Sequence, residues 1–148
     1  MLGGMTEHAR QRTERNGIME RLGVKTRDIR FFSAKNDCIV CVHSRQARDY
    51  AKYLEDQSWV AAYEPNFPLN ADRFAQVLPV DIRPDYFHVP WSSDFFLTYA
   101  DGRKGARELA QAADLRKRAV VERLELSRRY WKAFGIDEWK VVLTDAGN

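Results

Sequence analysis

Two cysteines three positions apart, Cys38-Ile-Val-Cys41, raise the most direct chemical possibility in the sequence: a thiol-disulfide couple, or half of a zinc site. Their neighbours argue against both. Cys38-Ile-Val-Cys-Val42 is an apolar, β-branched run, and a strand points residues three apart to opposite faces. No second Cys/His pair is spaced to complete a zinc site, and His8, His43 and His88 show no ligand spacing. The sequence therefore predicts buried, reduced thiols. Charge is the second chemical signal. The net charge of +3 is small, but its distribution is uneven: residues 103–132 carry ten Lys/Arg against four Asp/Glu, and residues 31–102 carry six against ten. A cationic surface beside an acidic pocket is what a metal-dependent phosphodiesterase needs, one part holding phosphates and the other Mg²⁺. A helix with a solvated Arg/Lys face produces the same imbalance, and charge alone does not separate the two.

The elements that must position such residues can be read from periodicity. At 148 residues, with 45% apolar and 30% charged residues, the chain fits one domain with a real hydrophobic core. No apolar run is long enough to span a bilayer and the first ten residues lack a signal-peptide core, so the expected location is the cytoplasm, with no membrane partner. Residues 6–22 read as a basic helix closed by Gly23, part of a basic N-terminal arm over 1–28. Phe31-Phe32 and Cys38–Val42 read as strands. Ser44 caps a helix running to about Gln57, with Ala47, Tyr50, Ala51 and Leu54 as its core-facing stripe. Trp59–Tyr63 and Phe74–Ile82 are further predicted strands, separated by the turn-rich segment 65–72.

Asp94–Tyr99 is a predicted strand ended by Asp101-Gly102, a pair able to take the positive φ of a hairpin turn. Residues 105–113 are rich in helix formers, so local propensity favours a helix there, whereas the hairpin demands a second strand. From Asp114 to Phe134 the pattern is helical, with Leu115, Val120, Leu124, Trp131 and Phe134 on one face. Gly135 ends that helix, and Trp139–Thr144 forms a last strand. The sequence thus predicts an α/β fold, a small mixed sheet flanked by helices.

Three segments in this order resemble the N-terminal endonuclease domain of TnsA, a subunit of heteromeric transposases in the PD-(D/E)XK nuclease superfamily. They are Leu124-Glu-Leu-Ser-Arg-Arg-Tyr-Trp131 followed by Gly135-Ile and Trp139-Lys-Val-Val-Leu-Thr-Asp145; Ser93-Asp94-Phe-Phe-Leu followed by Asp101-Gly102; and Ser44-Arg-Gln-Ala-Arg48 leading to Tyr63-Glu-Pro-Asn-Phe-Pro68. The resemblance spans about 43–145 and implies a restriction-endonuclease-like domain over 29–148. It places Asp94 and Glu108 at two catalytic, Mg²⁺-binding positions. The helical Glu and the catalytic Lys of that set correspond to Ala47 and Ala110, which can do neither task. Lys104 or Lys117 for the lysine, and Glu55 or Asp49 for the glutamate, are the relocated substitutes available in sequence. The arginine-rich face of Arg116, Lys117, Arg118, Arg123, Arg128 and Arg129, with Lys104, is the expected set of phosphate contacts, or else merely a soluble face.

The expectation is a nuclease-fold protein of a prokaryotic mobile element or phage that acts on DNA with a degenerate active site. Its expected partners are DNA and a transposase or other recombination subunit, with homo-oligomerisation open and Mg²⁺ needed only if it cuts. An active Mg²⁺-dependent endonuclease cleaving element or phage DNA ends and a structural or assembly protein reusing the fold are the alternatives. All three require the strands on either side of Gly102 to pair, bringing the carboxylates of Asp94 and Glu108 together beneath the arginine-rich helix.

Overall fold

The computed structural model describes residues 27–144; the basic arm expected over 1–28 lies, but for its last two residues, outside them. Strands β1 (Ile29–Ser33) and β2 (Cys38–Val42) form an antiparallel hairpin. Helix α1 (Arg45–Glu55) follows, its first turn closed by Ser44, whose Oγ accepts from the Ala47 amide at 3.0 Å. Strands β3 (Val60–Pro68), β4 (Ser92–Tyr99) and β5 (Lys104–Gln111) are consecutive antiparallel neighbours, and β6 (Glu138–Thr144) joins parallel to β5 after helix α2 (Arg118–Phe134). The fold is therefore α/β, with a mixed four-stranded sheet in the order β3-β4-β5-β6 beside the two-stranded hairpin.

Alternation along β4 sends neighbouring residues into two cores. Phe95, Leu97 and Tyr99 pack with Ala51 and Leu54 of α1, Val42 of β2, and Val60 and Tyr63 of β3. Phe96 packs instead among Ala106, Leu126, Tyr130 and Trp131, with Leu69, Phe74, Val77, Ile82, Tyr86 and Trp91 from the long β3–β4 connection. Among the described residues no helix is long and apolar enough to cross a membrane.

Over Lys104–Gln111 the strand wins against a helix-forming composition, because β5 pairs with β4 on one side and β6 on the other and tertiary pairing overrides propensity; Ala112 and Ala113 instead open a 3-10 turn, Ala112–Arg116. In the hairpin turn Gly102 has φ 91° while Asp101 is not left-handed. Three expectations are corrected. Phe74–Ile82 is not a strand; it begins in a 3-10 turn, Ala71–Gln76, capped by Asn70, and its apolar residues enter the core from irregular chain interrupted by Pro79. The segment 65–68 is not a turn but the end of β3, where Pro65 and Pro68 are tolerated because β3 is an edge strand. The thiols form no disulfide but are not buried: Cys41 is half-buried because Val40 and Val42 take the inward positions of β2, and Cys38, though on their face, is exposed at the strand's start.

The face of α2 also differs from its predicted stripe. Leu124 and Trp131 are buried as expected, but so are Glu122, Leu126, Ser127 and Tyr130, whereas Leu115 lies before the helix and is 37% exposed. Of the two polar residues on the buried face, Ser127 bonds to Glu108 of β5 and Glu122 pairs with Arg83 and Arg118.

Candidate functional site

Strand β4 stays paired with β3 down to Ser92↔Pro68, and β5 with β6 up to Gln111↔Thr144. The ladder between β4 and β5 runs only from Thr98↔Lys104 to Phe95↔Arg107, so the two central strands part beyond it. Carboxylates bridge the gap. The Leu109 amide donates to Asp94 Oδ2 at 2.7 Å, and the Asp94 amide donates to Glu108 Oε1 at 3.1 Å. Each side chain satisfies a main-chain N–H that the interrupted ladder would otherwise leave unpaired.

Glu108, 1% exposed, is the centre of this arrangement. Its Oε2 accepts from Ser93 Oγ at 2.7 Å and from Ser127 Oγ at 2.6 Å. Each serine accepts in turn from an indole: Trp131 Nε1 reaches Ser93 at 2.9 Å and Trp139 Nε1 reaches Ser127 at 3.0 Å. Arg123 closes the other side, with Nη1 3.2 Å from Glu108 Oε1 and 3.9 Å from Asp94 Oδ2, and Nη2 donating to the Leu109 carbonyl at 3.2 Å. Burial pushes the Glu108 carboxyl above its ordinary value and Asp94 adds to the shift, while Arg123 and the two serines oppose it. A buried carboxylate is costly unless paired and hydrogen-bonded, and here both conditions are met by the chain itself.

The structure thus brings Asp94 and Glu108 together, around a guanidinium. Ala47 packs against the core beneath α1, and Ala110 is buried on β5 opposite Leu143. The relocated substitutes are engaged elsewhere. Lys104 stands at the far end of β5, six residues from Ala110, or about 20 Å at strand rise. Lys117 pairs with Asp114 at 2.9 Å, Asp49 with Arg48 at 3.2 Å, and Glu55 accepts from Ser33 and Tyr63.

The expected phosphate-contacting face is largely paired within the chain. Arg118 meets Glu122 at 3.0 Å, and Arg128 and Arg129 both meet Glu125 at 2.7 Å. Arg129 further donates to the carbonyls of Leu78 and Val80. The hydrogen bond from Arg128, reinforced by Arg129, holds the Glu125 carboxyl down at about 2. Arg123 belongs to the interior site, with 18% of its side chain exposed, and is no surface contact; Arg116 and Lys104 are exposed.

An ionised carboxylate offers about four acceptor positions, and those of Glu108 are filled by four donors: the Asp94 amide, Arg123, Ser93 and Ser127. Mg²⁺ needs several oxygen ligands at short range in near-octahedral geometry. As arranged, the pair does not fit it, since a ligand bond from Glu108 would have to displace one of these donors. Sequence reasoning missed Ser93, Ser127, Trp131 and Trp139 as members of the site. A signal existed: Arg123, Ser127 and Trp131 recur every four residues and so share one face of α2. No protein-family model matches this chain, and none of the curated proteins compared with it is a match.

Proposed function

We propose that this chain is a nuclease-type core, resembling the TnsA N-terminal domain, that does not cut DNA and instead binds it. The observation that carries this reading is Arg123 seated against Glu108 at 3.2 Å and near Asp94 at 3.9 Å, a tethered cation where a cleaving site would recruit a metal. Further support comes from the order of elements: α1, three antiparallel strands, α2 and a parallel strand are compatible with a restriction-endonuclease-like sheet. Ala47 and Ala110 stand where that class would carry its glutamate and lysine. DNA binding rests on the excess of cations over 103–132, with Arg116 and Lys104 exposed and Arg118 and Lys117 at 72% and 68% exposure on pairs that phosphate can compete for.

The test is a nicking assay on supercoiled plasmid with Mg²⁺ or Mn²⁺, run beside a salt titration of binding to a labelled duplex. The expected result is intact plasmid and an affinity that falls with salt at about 0.9 log units per phosphate neutralised. Cleavage that disappears in Asp94→Ala overturns the proposal in favour of a working Mg²⁺-dependent endonuclease. A second reading, a recombination-assembly protein using the fold for protein contacts, is favoured by the ion pairing of Arg128 and Arg129 with Glu125. Absence of salt-sensitive DNA binding selects it.

A further inference from the structure

Away from the acidic pair, the β1–β2 hairpin gathers three side chains with no joint role in the sequence pattern, where Cys41 reads as a buried reduced thiol and His43 as no ligand. Cys41 lies on the face of β2 opposite Val40 and Val42, which enter the core, and His43 follows directly after the strand. The hairpin register, Ile29↔Val42, sets Asp28 beside His43 at the open end. One ligand atom from each of Asp28, Cys41 and His43 lies within 4.8 Å of the others. We infer that these three residues form a binding site for a zinc-class divalent ion, with the fourth coordination position open to solvent.

The donor set decides the class of metal. A thiolate and an imidazole with one carboxylate suit zinc and its borderline-soft neighbours, whereas Mg²⁺ and Ca²⁺ take oxygen ligands. Bond lengths of about 2.0–2.3 Å place tetrahedral ligands roughly 3.3–3.8 Å apart, so the spacing asks for small side-chain adjustments and no backbone change. Asp28 Oδ1 already stands 3.1 Å from His43 Nδ1. Its other oxygen, Oδ2, accepts from Arg30 Nη2 at 3.1 Å, which orients the carboxylate as an outer-shell partner does in metal sites. His43 is buried while half of the Asp28 side chain is exposed, so the ring is held firmly and the ion has a way in.

Binding would also displace an existing contact. His43 Nδ1 lies 3.1 Å from the Arg27 carbonyl. When the metal takes the Nδ1 lone pair, the imidazole proton moves to Nε2 and the Arg27 carbonyl turns to water. The Cys41 thiol proton leaves to solvent. The net balance is one proton released per ion bound, so affinity rises with pH.

Cobalt(II) is the probe, because a thiolate ligand gives a near-ultraviolet charge-transfer band and a tetrahedral shell gives intense visible bands. Titration of the reduced, full-length protein is expected to produce both at one equivalent, with zinc abolishing them by displacement. Cys41→Ser is expected to lose the charge-transfer band and Cys38→Ser, on the opposite face, to keep it. Asp28→Asn, at a half-exposed position where folding is not at stake, is expected to bind cobalt at least tenfold more weakly. No charge-transfer band, a band that survives Cys41→Ser or disappears in Cys38→Ser, or unchanged affinity in Asp28→Asn overturns the assignment.

Discussion

Replacing Arg123 with methionine keeps most of the side-chain volume and removes the positive charge from the acidic pair. Glu108, 1% exposed, loses one of its four donors, and Asp94 loses a cation 3.9 Å away. Removing one member of a buried pair typically costs about 3–5 kcal/mol. Three donors to Glu108 remain and the carboxyl can take up a proton, so the lower end, about 3 kcal/mol at neutral pH, is expected. For a domain of this size that corresponds to a drop of roughly 10 °C in Tm. The pH dependence is diagnostic. The folded-state value of Glu108 is raised, so its contribution is fully present below its ordinary value of 4.5 and falls as pH climbs toward the folded value. Losing Arg123 raises that folded value further and widens the window of loss. Urea denaturation of wild type and Arg123→Met should therefore differ least near about pH 5 and most near about pH 7.5. A difference under about 0.5 kcal/mol at neutral pH, or one that does not change with pH, would refute the idea that this guanidinium neutralises the pair. The double variant with Glu108→Gln supplies the coupling energy, expected above about 1 kcal/mol.

Three further outcomes follow from particular contacts. Ser127→Ala leaves Trp139 Nε1 without its acceptor and removes one of the four donors to Glu108; a loss of about 1–3 kcal/mol in chemical denaturation is expected. Gly105→Ala would set a Cβ 2.8 Å from Tyr99 Cζ and into its hydroxyl, which is bonded to Glu138; overpacking should cost about 1–3 kcal/mol in thermal melts. Glu125→Gln removes a carboxylate held at about 2, whose stabilisation is present above its ordinary 4.5 and fades as pH falls between those values, so variant and wild type converge in acid. With 30% of that side chain exposed, the neutral-pH difference should stay near 1 kcal/mol or below. The same variant should bind duplex DNA with a steeper salt dependence, because Arg128 gains freedom to meet a phosphate.

Much of the architecture was legible because it follows from local periodicity. The cap at Ser44, the end at Gly135, and the runs at Cys38–Val42, Asp94–Tyr99 and Trp139–Thr144 all announce themselves by turn chemistry or alternation. The segment 105–111 did not, since its identity as a strand depends on two flanking partners more than thirty residues apart in sequence. Phe74–Ile82 misled for the opposite reason: its apolar spacing satisfies a core packed around Tyr86 and Trp91 with no ladder to join. The meeting of Asp94 and Glu108 followed from the hairpin. What they meet did not, because Arg123 reads as one more cation on a basic helix until the register of α2 against the sheet is known. The Asp28–Cys41–His43 group escaped similarly; its third member is supplied by the pairing of β1 with β2.

Charge content and charge availability are therefore different quantities in this protein. Residues 103–132 carry ten cations, yet Arg123 is committed to Glu108, Arg107 to Glu138, and Arg128 and Arg129 to Glu125. The commitments differ in strength. Pairs on the exposed rim, such as Lys117–Asp114, are worth at most about 1 kcal/mol and yield to a polyanion, which releases counterions as it binds. The Arg123–Glu108 pair is buried, and an external cation must first undo it. If that costs about 3 kcal/mol, the apparent affinity of the carboxylates for a divalent ion falls by roughly 150-fold, since each 1.4 kcal/mol is a factor of ten. On the proposed DNA-binding reading, the acidic pair stays at the strand fork with its metal affinity reduced by Arg123, while the exposed cations remain the ones to meet phosphate.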